Sequence, residues 1–422
     1  MTTSQHAGPA LDLAWIRSQF PALELHQDGK LVVYLDNPAG TQVPVRTVEA
    51  IGDYFYGSNA NVHGAFITSM RTDEMVDAAR RGMAHFLGAA SPREIVFGPN
   101  MTTLTFSMSR ALGRDLRPGD EVVVTDLDHD ANIAPWVALA ERGVTLRRVP
   151  VRREDCTLDM SALANALTPR TRLVAFTYAS NAVGTITDVA AITRLAHQAG
   201  ALAWVDAVHY GPHGPIDVKA LDVDFLVCSS YKFFGPHLGV LYGRAELLER
   251  IQAYRVRPAP ETAPDKFEMG TKNHECLAGL VATLHYLVEL GRGGGGAQQS
   301  PTREALVKAM TAIKDYEKTL SAAMLRGLSS VPGLQIYGIT DHARLDQRVP
   351  TFVFNLYGRT APDVSKALAA AGIFSWAGNF YAPEVMQTLG LEGTGGAVRV
   401  GAVHYNTQEE IERLVSALRN IA

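Results

Sequence analysis

Short apolar runs that alternate with amphipathic stretches dominate residues 94–242. Continuous apolar runs bounded by Gly, Pro or polar residues are typical of buried parallel strands. Their alternation with helices predicts an α/β fold, in which helices cover both faces of a mostly parallel sheet. The predicted strands are 94–97, 121–124, 145–151, 171–178, 203–205, 225–227 and 237–242, and the helices between them are about 132–142, 159–168 and 188–199.

The flanking parts of the chain follow less regular patterns. Toward the N-terminus, the sequence predicts a short helix and a turn in 11–30, a strand at 31–35 and an amphipathic helix over 72–87 that begins at Thr72 as its N-cap. Toward the C-terminus, it predicts helices at 273–291, 302–328, 361–371 and from about 407, strands at 334–337, 351–356 and 398–400, and a loop at 374–383. Strands and helices without βαβ regularity indicate an α+β lobe.

The glycine run at 293–296 predicts a flexible break between these two patterns. We therefore predict a large domain over 31–292 and a small C-terminal α+β domain over 293–422. We expect residues 1–30 to form an N-terminal segment that packs with the small domain.

Length and composition exclude several classes of protein. The chain has 422 residues and a net charge of −4, which suggests no nucleic-acid partner. The three cysteines, Cys156, Cys228 and Cys276, form no CxxC pair, so we expect neither a disulfide framework nor a metal site. No apolar run has transmembrane length, and residues 1–6 lack the features of a signal peptide. We therefore expect a cytoplasmic protein without a membrane partner.

Polar side chains follow two of the predicted strands. Asp206 directly follows the predicted strand 203–205. Lys232 is the last residue of a polar stretch that follows the predicted strand 225–227. Ligands of open α/β sheets bind beyond the carboxyl ends of the strands, so we expect both side chains to face one crevice. Pyridoxal 5′-phosphate (PLP) requires a lysine for covalent attachment and an acid beside its pyridine nitrogen. An ordinary core ion pair or two solvated loop ends would give the same pattern.

The turn after the predicted strand 94–97 has a second chemical interpretation. Residues 98–103 form a turn of mostly small and polar residues, and a helix follows them. Backbone N–H groups at a helix N-terminus form an anion site, which suits a phosphate group. A plain strand-to-helix turn is the alternative.

Several blocks of the sequence resemble class V aminotransferases of PLP fold type I, and among them most nearly the cysteine desulfurase and selenocysteine lyase branch. The blocks are 34–40, 61–63, 128–136, 180–185, 205–206, 229–232, 270–271, Arg399 and 405–407, in the order of the family. The resemblance implies a large domain with a mostly parallel seven-stranded sheet, a small α+β domain and PLP as cofactor. It also implies an amino-acid substrate and a homodimer with shared active sites.

The resemblance implies a role for each matching residue. Lys232 matches the lysine that binds PLP and moves the proton at Cα, Asp206 matches the partner of the pyridine nitrogen, and His129 matches the imidazole that stacks on the pyridine ring. Further residues that match cofactor-binding positions are Met101 (through its backbone), Thr102, Asn181, His209, Ser229, Tyr231 and, donated by the neighbouring subunit, Thr271. Without the resemblance, a lone histidine or a carboxylate at a strand end is most often structural.

The substrate side is implied in the same way. Arg399 matches the arginine that binds the substrate α-carboxylate, a task that suits a planar fork of donors. An edge-strand arginine on the surface is the alternative. We expect Asn37, Ala39 and His63 to contribute to the same side.

The chain departs from the desulfurase pattern at the residues that handle sulfur. The position of the family's catalytic cysteine falls on Tyr381, and an arginine upstream of it falls on Trp376. Gly64 replaces a second arginine, and His209 stands where desulfurases often carry glutamine. An enzyme persulfide requires a thiolate, and the loop at 372–382 contains no cysteine.

These departures favour a PLP-dependent C–S lyase that performs β-elimination on a cysteine S-conjugate and forms no enzyme persulfide. Decarboxylating or oxidative deamination, epimerisation with Tyr381 or His63 as a second acid–base, and transamination are alternatives, as is a catalytically silent scaffold with this fold. Trp376, Phe380 and Tyr381 either contact a bulky substrate group or fill a small core of their own loop.

Overall fold

The computed structural model describes residues 11–295 and 299–422. The features expected of residues 1–10, including the absence of a signal peptide, and the end of the glycine run at 296 lie outside the described residues.

The regular elements follow the chain in this order. The α-helices are α1 (Leu13–Ser18), α2 (Val45–Gly57), α3 (Ile67–Leu87), α4 (Met101–Leu112), α5 (Ala134–Val137), α6 (Met160–Ala166), α7 (Val189–Gln198), α8 (Ala245–Arg250), α9 (His274–Leu290), α10 (Arg303–Ser329), α11 (Ala361–Ala370), α12 (Pro383–Leu389) and α13 (Gln408–Ile421). The strands are β1 (His26–Gln27), β2 (Lys30–Leu31), β3 (Val33–Tyr34), β4 (Ile95–Gly98), β5 (Glu121–Thr125), β6 (Thr145–Val149), β7 (Thr171–Thr177), β8 (Leu202–Asp206), β9 (Phe225–Ser229), β10 (Gly239–Gly243), β11 (Leu334–Tyr337), β12 (Thr351–Leu356), β13 (Ile373–Phe374), β14 (Trp376–Gly378) and β15 (Ala397–Gly401).

Within the described residues, seven strands form the large sheet in the spatial order β4-β10-β9-β8-β7-β5-β6. Five neighbouring strands, β6, β5, β7, β8 and β9, are parallel to one another. Strand β10 is antiparallel to both of its neighbours, β9 and β4. Successive residues of β5 alternate between two buried clusters, because Val123 joins one and Val122 and Val124 join the other. The sheet is therefore covered on both faces, and the predicted fold type is confirmed.

The small sheet lies in the C-terminal part, where four strands of the described chain are ordered β11-β12-β15-β14 and pair antiparallel. Its core includes Leu325 of α10, Leu368 of α11 and Leu414 of α13. The prediction of a continuous loop over 374–383 was wrong, because Trp376–Gly378 pairs with β15 as strand β14. This pairing fixes Trp376 opposite Arg399.

The N-terminal segment contacts both lobes. The Gln27 side chain donates a hydrogen bond to the Ala369 carbonyl at 3.0 Å, and Arg17 donates one to the Tyr405 carbonyl, so one side of the segment meets the small lobe. Phe20, however, packs in the same buried cluster as the helices of the large sheet. The domain boundaries at 30 and 292 stay a prediction.

Helix α3 begins at Ile67, five residues before the predicted N-cap. Thr72 is buried inside the helix, where its hydroxyl donates to the Thr68 and Ser58 carbonyls. A threonine that bonds back to the residue four positions earlier belongs to a helix interior, and it does not cap the helix. The predicted helix over 132–142 is also broken into 3₁₀ turns around the short α5.

No helix in residues 11–295 and 299–422 is long and apolar enough to cross a membrane. Over the same ranges, no cluster of three or more His, Cys, Asp or Glu side chains could hold a metal ion.

Candidate active site

A cavity of about 510 Å³ lies beyond the carboxyl ends of β7, β8 and β9, beside the N-terminus of α4. The residues that line it are Asn100, Met101, Thr102, His129, Ala131, Thr177, Ala179, Asn181, Asp206, Val208, His209, Ser229, Tyr231 and Lys232. The structure therefore brings together every predicted cofactor-binding residue except Thr271.

Lys232 lies on the 3₁₀ turn that follows β9 and is almost completely buried. Its Nζ donates to the carbonyls of Pro38 and Ala39, the latter at 2.9 Å. Burial, with the nearby Arg399 charge, lowers the pKa of this amine to about 7, although two carboxylates oppose the shift. A neutral amine is the form that acts as a nucleophile or base, so the site keeps Lys232 ready for either role near neutral pH.

Asp206 ends β8 and is buried beneath the same cavity. One carboxylate oxygen accepts a hydrogen bond from the Val208 N–H at 2.8 Å, and among the described residues the other oxygen has no hydrogen-bond partner. Burial raises the pKa of Asp206 to about 6, although the Val208 hydrogen bond and the Lys232 charge both act to lower it. A cationic ring nitrogen beside the free oxygen would favour the ionised carboxylate.

His129 follows β5 and faces the cavity as a neutral ring. Its Nδ1 accepts a hydrogen bond from the Ala131 N–H at 3.0 Å. Burial and the charges of Lys232 and Arg399 lower the pKa of His129 to about 4. The Tyr381 ring stacks against it with a centroid distance of 5.5 Å and an interplanar angle of 16°. Tyr381 is therefore close to the cavity although it belongs to the small lobe.

The N-terminus of α4 provides the predicted anion site. Asn100 caps this helix by accepting from the Thr103 N–H at 2.8 Å, and the Met101 N–H donates to the Ser229 hydroxyl at 3.0 Å. Among the described residues, the Thr102 N–H of this first turn has no hydrogen-bond partner, and the dipole of a twelve-residue helix favours an anion there. Thr102 and Tyr231 line the same part of the cavity.

Arg399 on β15 is buried at the edge of the site. Its Nη1 donates to the Asn181 carbonyl at 3.0 Å, its Nη2 lies 3.7 Å from an Asp36 oxygen, and its guanidinium carbon lies 4.5 Å from the Phe380 ring centre. The Nε of Arg399 and the side-chain oxygen of Asn181 are both buried without a partner in the described residues. Buried polar atoms are usually hydrogen-bonded, so both atoms are available to a ligand that reaches them.

Asp36 and Asn100 were not predicted as site residues. Asp36 was detectable as a polar residue directly after a predicted strand, and Asn100 as a cap in the turn before α4. The sequence left open whether Phe380 contacts a substrate group or fills a core of its own loop, and its contact with Arg399 depends on how the two lobes meet.

Three predicted residues lie away from the cavity or serve another purpose. The Asn37 side chain donates to the Gly401 carbonyl at 2.7 Å and accepts from the Tyr405 hydroxyl, so it holds the fold together. The His63 side chain is 83% exposed and lies 3.1 Å from Asp73. Thr271 lines a separate cavity of about 770 Å³, so its predicted role in a neighbouring subunit stays a prediction.

None of the three cysteines lines the cofactor cavity. Cys228 is fully buried in the core, where burial and Asp206 raise the pKa of its thiol. Burial also raises the pKa of Cys156 to about 12 and that of Cys276 to about 11. A nucleophilic thiol requires a lowered pKa, whereas the pKa of each of these thiols is raised.

Comparisons with known proteins agree with this architecture. Residues 33–414 match the family model "Aminotransferase class-V". A cysteine desulfurase from Synechococcus elongatus is 34% identical over 436 residues, which cover 99% of this chain and 65% of that protein. A cysteine desulfurase from Cronobacter sakazakii is 33% identical over 428 residues, which cover 98% of each chain. The chain thus spans slightly less than two thirds of the first relative and nearly all of the second.

Two solved structures give the same result. The apo structure of a cysteine desulfurase from Thermococcus onnurineus has a TM-score of 0.84 and 27% identity, and the match covers 98% of this chain and 99% of that one. A cysteine desulfurase from Escherichia coli has a TM-score of 0.82 and 29% identity, with 97% and 98% covered. The fold and the site define a PLP fold type I protein. The chain belongs to the class V aminotransferase family, which consists of PLP-dependent enzymes.

The residues of the cavity fit PLP. The site offers a buried lysine of lowered pKa, a carboxylate oxygen without a partner and a helix N-terminus, and PLP has an aldehyde, a pyridine nitrogen and a phosphate. Lys232, Asp206 and the first turn of α4 are therefore the groups that would hold it.

We predict that the apoprotein takes up PLP with a pH dependence set by Lys232. The pKa of this amine is lowered, so its neutral fraction increases through about pH 7 and is nearly complete by about pH 8. The rate of covalent uptake, followed by absorbance after mixing, should increase from about pH 6 to about pH 8 and then level off. Free lysine should show a rate that still increases near pH 10.

Lys232→Ala should abolish covalent uptake, and Lys318→Ala, which removes an exposed lysine, should leave it unchanged. A wild-type rate that keeps increasing up to about pH 10 would contradict the lowered pKa of Lys232.

Proposed function

We propose that this protein is a PLP-dependent C–S lyase that performs β-elimination on a cysteine S-conjugate. The conjugate and one water molecule would yield a thiol, pyruvate and ammonia. The observation that carries the proposal is a lysine and a carboxylate in one cavity, with Arg399 at its edge and no cysteine in its lining. Tyr381 lies at the position that the family resemblance assigns to the catalytic cysteine.

The proposed mechanism distributes the work among few residues. PLP, when bound, supplies an electron sink that stabilises negative charge at the substrate Cα. Lys232 removes the Cα proton as a neutral amine, which its lowered pKa supports. Asp206 keeps the ring nitrogen protonated, and Arg399 binds the substrate α-carboxylate with the donors that the described residues leave free.

The leaving sulfur also needs a proton or a good intrinsic leaving ability. We infer that the Tyr381 hydroxyl donates this proton, because its ring stacks on His129, which lines the cavity, and the Tyr381 side chain is 72% exposed. The phenol replaces the thiol of the desulfurases, so sulfur leaves with the product and is not captured by the enzyme.

We also propose a homodimer in the cytoplasm. The separate cavity around Thr271 lies next to Met269, whose apolar side chain is 59% exposed. A second subunit that covers this surface would place Thr271 near the partner's phosphate site, as the family resemblance implies. Sedimentation of the holoenzyme gives the oligomeric state.

The reaction type is tested by product analysis. The holoenzyme, given a cysteine S-conjugate, should release pyruvate and thiol in equal amounts. Lys232→Ala should release neither, because no base remains at Cα, and Lys318→Ala should behave as the wild type.

A PLP absorbance change without pyruvate would contradict the lyase. Exchange of the Cα proton with deuterium, release of carbon dioxide or an aldehyde, and formation of a new amino acid would then identify epimerisation, decarboxylating or oxidative chemistry, and transamination.

The role of Tyr381 is tested by measuring how the activity of a Tyr381 variant depends on the acidity of the thiol that leaves. Tyr381→Phe keeps the stacked ring but removes the acid, so kcat should fall about 100-fold for conjugates of weakly acidic alkyl thiols. For conjugates of acidic aryl thiols, which leave without protonation, kcat should change less than about threefold.

Steady-state kinetics over a series of conjugates gives this dependence. An equal loss of kcat across the whole series would assign Tyr381 a structural role and remove it from the mechanism.

A further inference from the structure

The loop that follows β14 forms an open depression next to the cofactor cavity, which we call the aromatic bowl. It has a volume of about 920 Å³ and is lined by Trp376, Ala377, Gly378, Asn379, Phe380, Tyr381, Pro383, Met386, Leu391, Glu392, Gly393, Gly395 and Gly396. Glu392 is the one charged residue in this lining, which otherwise consists of apolar, aromatic and glycine residues and one amide.

The aromatic bowl adjoins the site through three contacts. Tyr381 belongs to its wall and stacks on His129, which lines the cofactor cavity. Phe380 belongs to the same wall and packs against the Arg399 guanidinium. Trp376 is the direct strand neighbour of Arg399. A substrate whose α-carboxylate is bound by Arg399 would therefore have its side chain close to the bowl.

The loop is held in an uncommon conformation. Phe380 and Tyr381 both have positive φ angles, 58° and 55°, which non-glycine residues adopt rarely. The Asn181 amide donates to the Phe380 carbonyl at 2.8 Å, and the Asp130 N–H donates to the Tyr381 carbonyl at 2.7 Å. Two consecutive non-glycine residues with left-handed backbone conformations cost free energy, which the contacts with the large lobe offset. Backbone strain of this kind is typical of functional sites.

The three aromatic side chains do not form a core of their own. Phe380 is buried under Arg399, but Trp376 is 56% exposed and Tyr381 is 72% exposed. The Gly396 backbone lies so close to the Gly378 carbonyl that a side chain at position 396 would collide with it. The bowl is therefore an open space with two exposed aromatic rings at its wall.

We propose that the aromatic bowl binds the sulfur substituent of the substrate and selects uncharged aromatic groups over small or anionic ones. A flat aromatic substituent can stack on the exposed rings and bury much of its apolar surface there. A methyl group is too small to stack on either ring. Glu392 repels an anionic substituent. The proposal rests on the proposed function only in naming sulfur as the atom that carries this group.

Binding of amino acids that cannot eliminate tests the bowl separately from the reaction. Homophenylalanine, norvaline and 2-aminoadipate have the shapes of S-phenyl-, S-methyl- and S-carboxymethylcysteine, with carbon in place of sulfur. Calorimetric titration of the holoenzyme should give homophenylalanine a Kd about tenfold lower than norvaline, and 2-aminoadipate a higher Kd than norvaline.

Two variants and one control locate the effect. Trp376→Ala should reduce the preference for homophenylalanine to about threefold or less. Glu392→Gln should lower the Kd of 2-aminoadipate toward that of norvaline. Tyr357→Ala, which removes an aromatic ring that is 92% exposed but outside the bowl, should leave all three affinities unchanged.

Equal affinities for the three amino acids, a preference that survives Trp376→Ala, or no binding of any of them would overturn the proposal. Failure of the lyase reaction would appear instead as absence of pyruvate from S-phenylcysteine while the binding preference persists. The two failures are thus distinguishable.

Discussion

The burial of one amine controls the active site of this protein. Lys232 lies on the turn that follows β9, where burial and the charge of Arg399 lower its pKa and the charges of Asp36 and Asp206 raise it. The balance lowers the pKa of the amine to about 7, so a group that is normally a cation becomes available as a nucleophile and base. The parallel strands of the large sheet produce this arrangement, because they end together and leave their polar residues in one crevice.

The small lobe contributes what the large sheet lacks. Arg399 and Tyr381 come from strands and loops that are distant in sequence from Lys232, and both contact residues of the cofactor cavity. The lysine and carboxylate belong to general PLP chemistry, whereas the family resemblance predicts that the loop with Phe380 and Tyr381 differs from that of the cysteine desulfurases. Under the proposed function, the specificity of the reaction would depend on how this loop packs against the large lobe.

The sequence was sufficient for the elements whose pattern is local. The strand that ends at Asp206, the strand that precedes Lys232 and the helices α9 and α10 were predicted close to their observed bounds, because apolar runs and breaks specify them. The start of α3 was missed because Thr72 bonds within the helix. The stacking of Tyr381 on His129 could not be predicted, since it depends on positive φ angles and on contact between the lobes.

The proposed lyase would cleave the carbon–sulfur bond without an enzyme thiol. The first measurement to make is intact-mass spectrometry on holoenzyme quenched during turnover of L-cysteine and, separately, of a cysteine S-conjugate, without reductant. Such a lyase keeps a protein mass without added sulfur and forms no alanine. Addition of a sulfur atom to Cys156, Cys228 or Cys276, together with an equal amount of alanine, would contradict it.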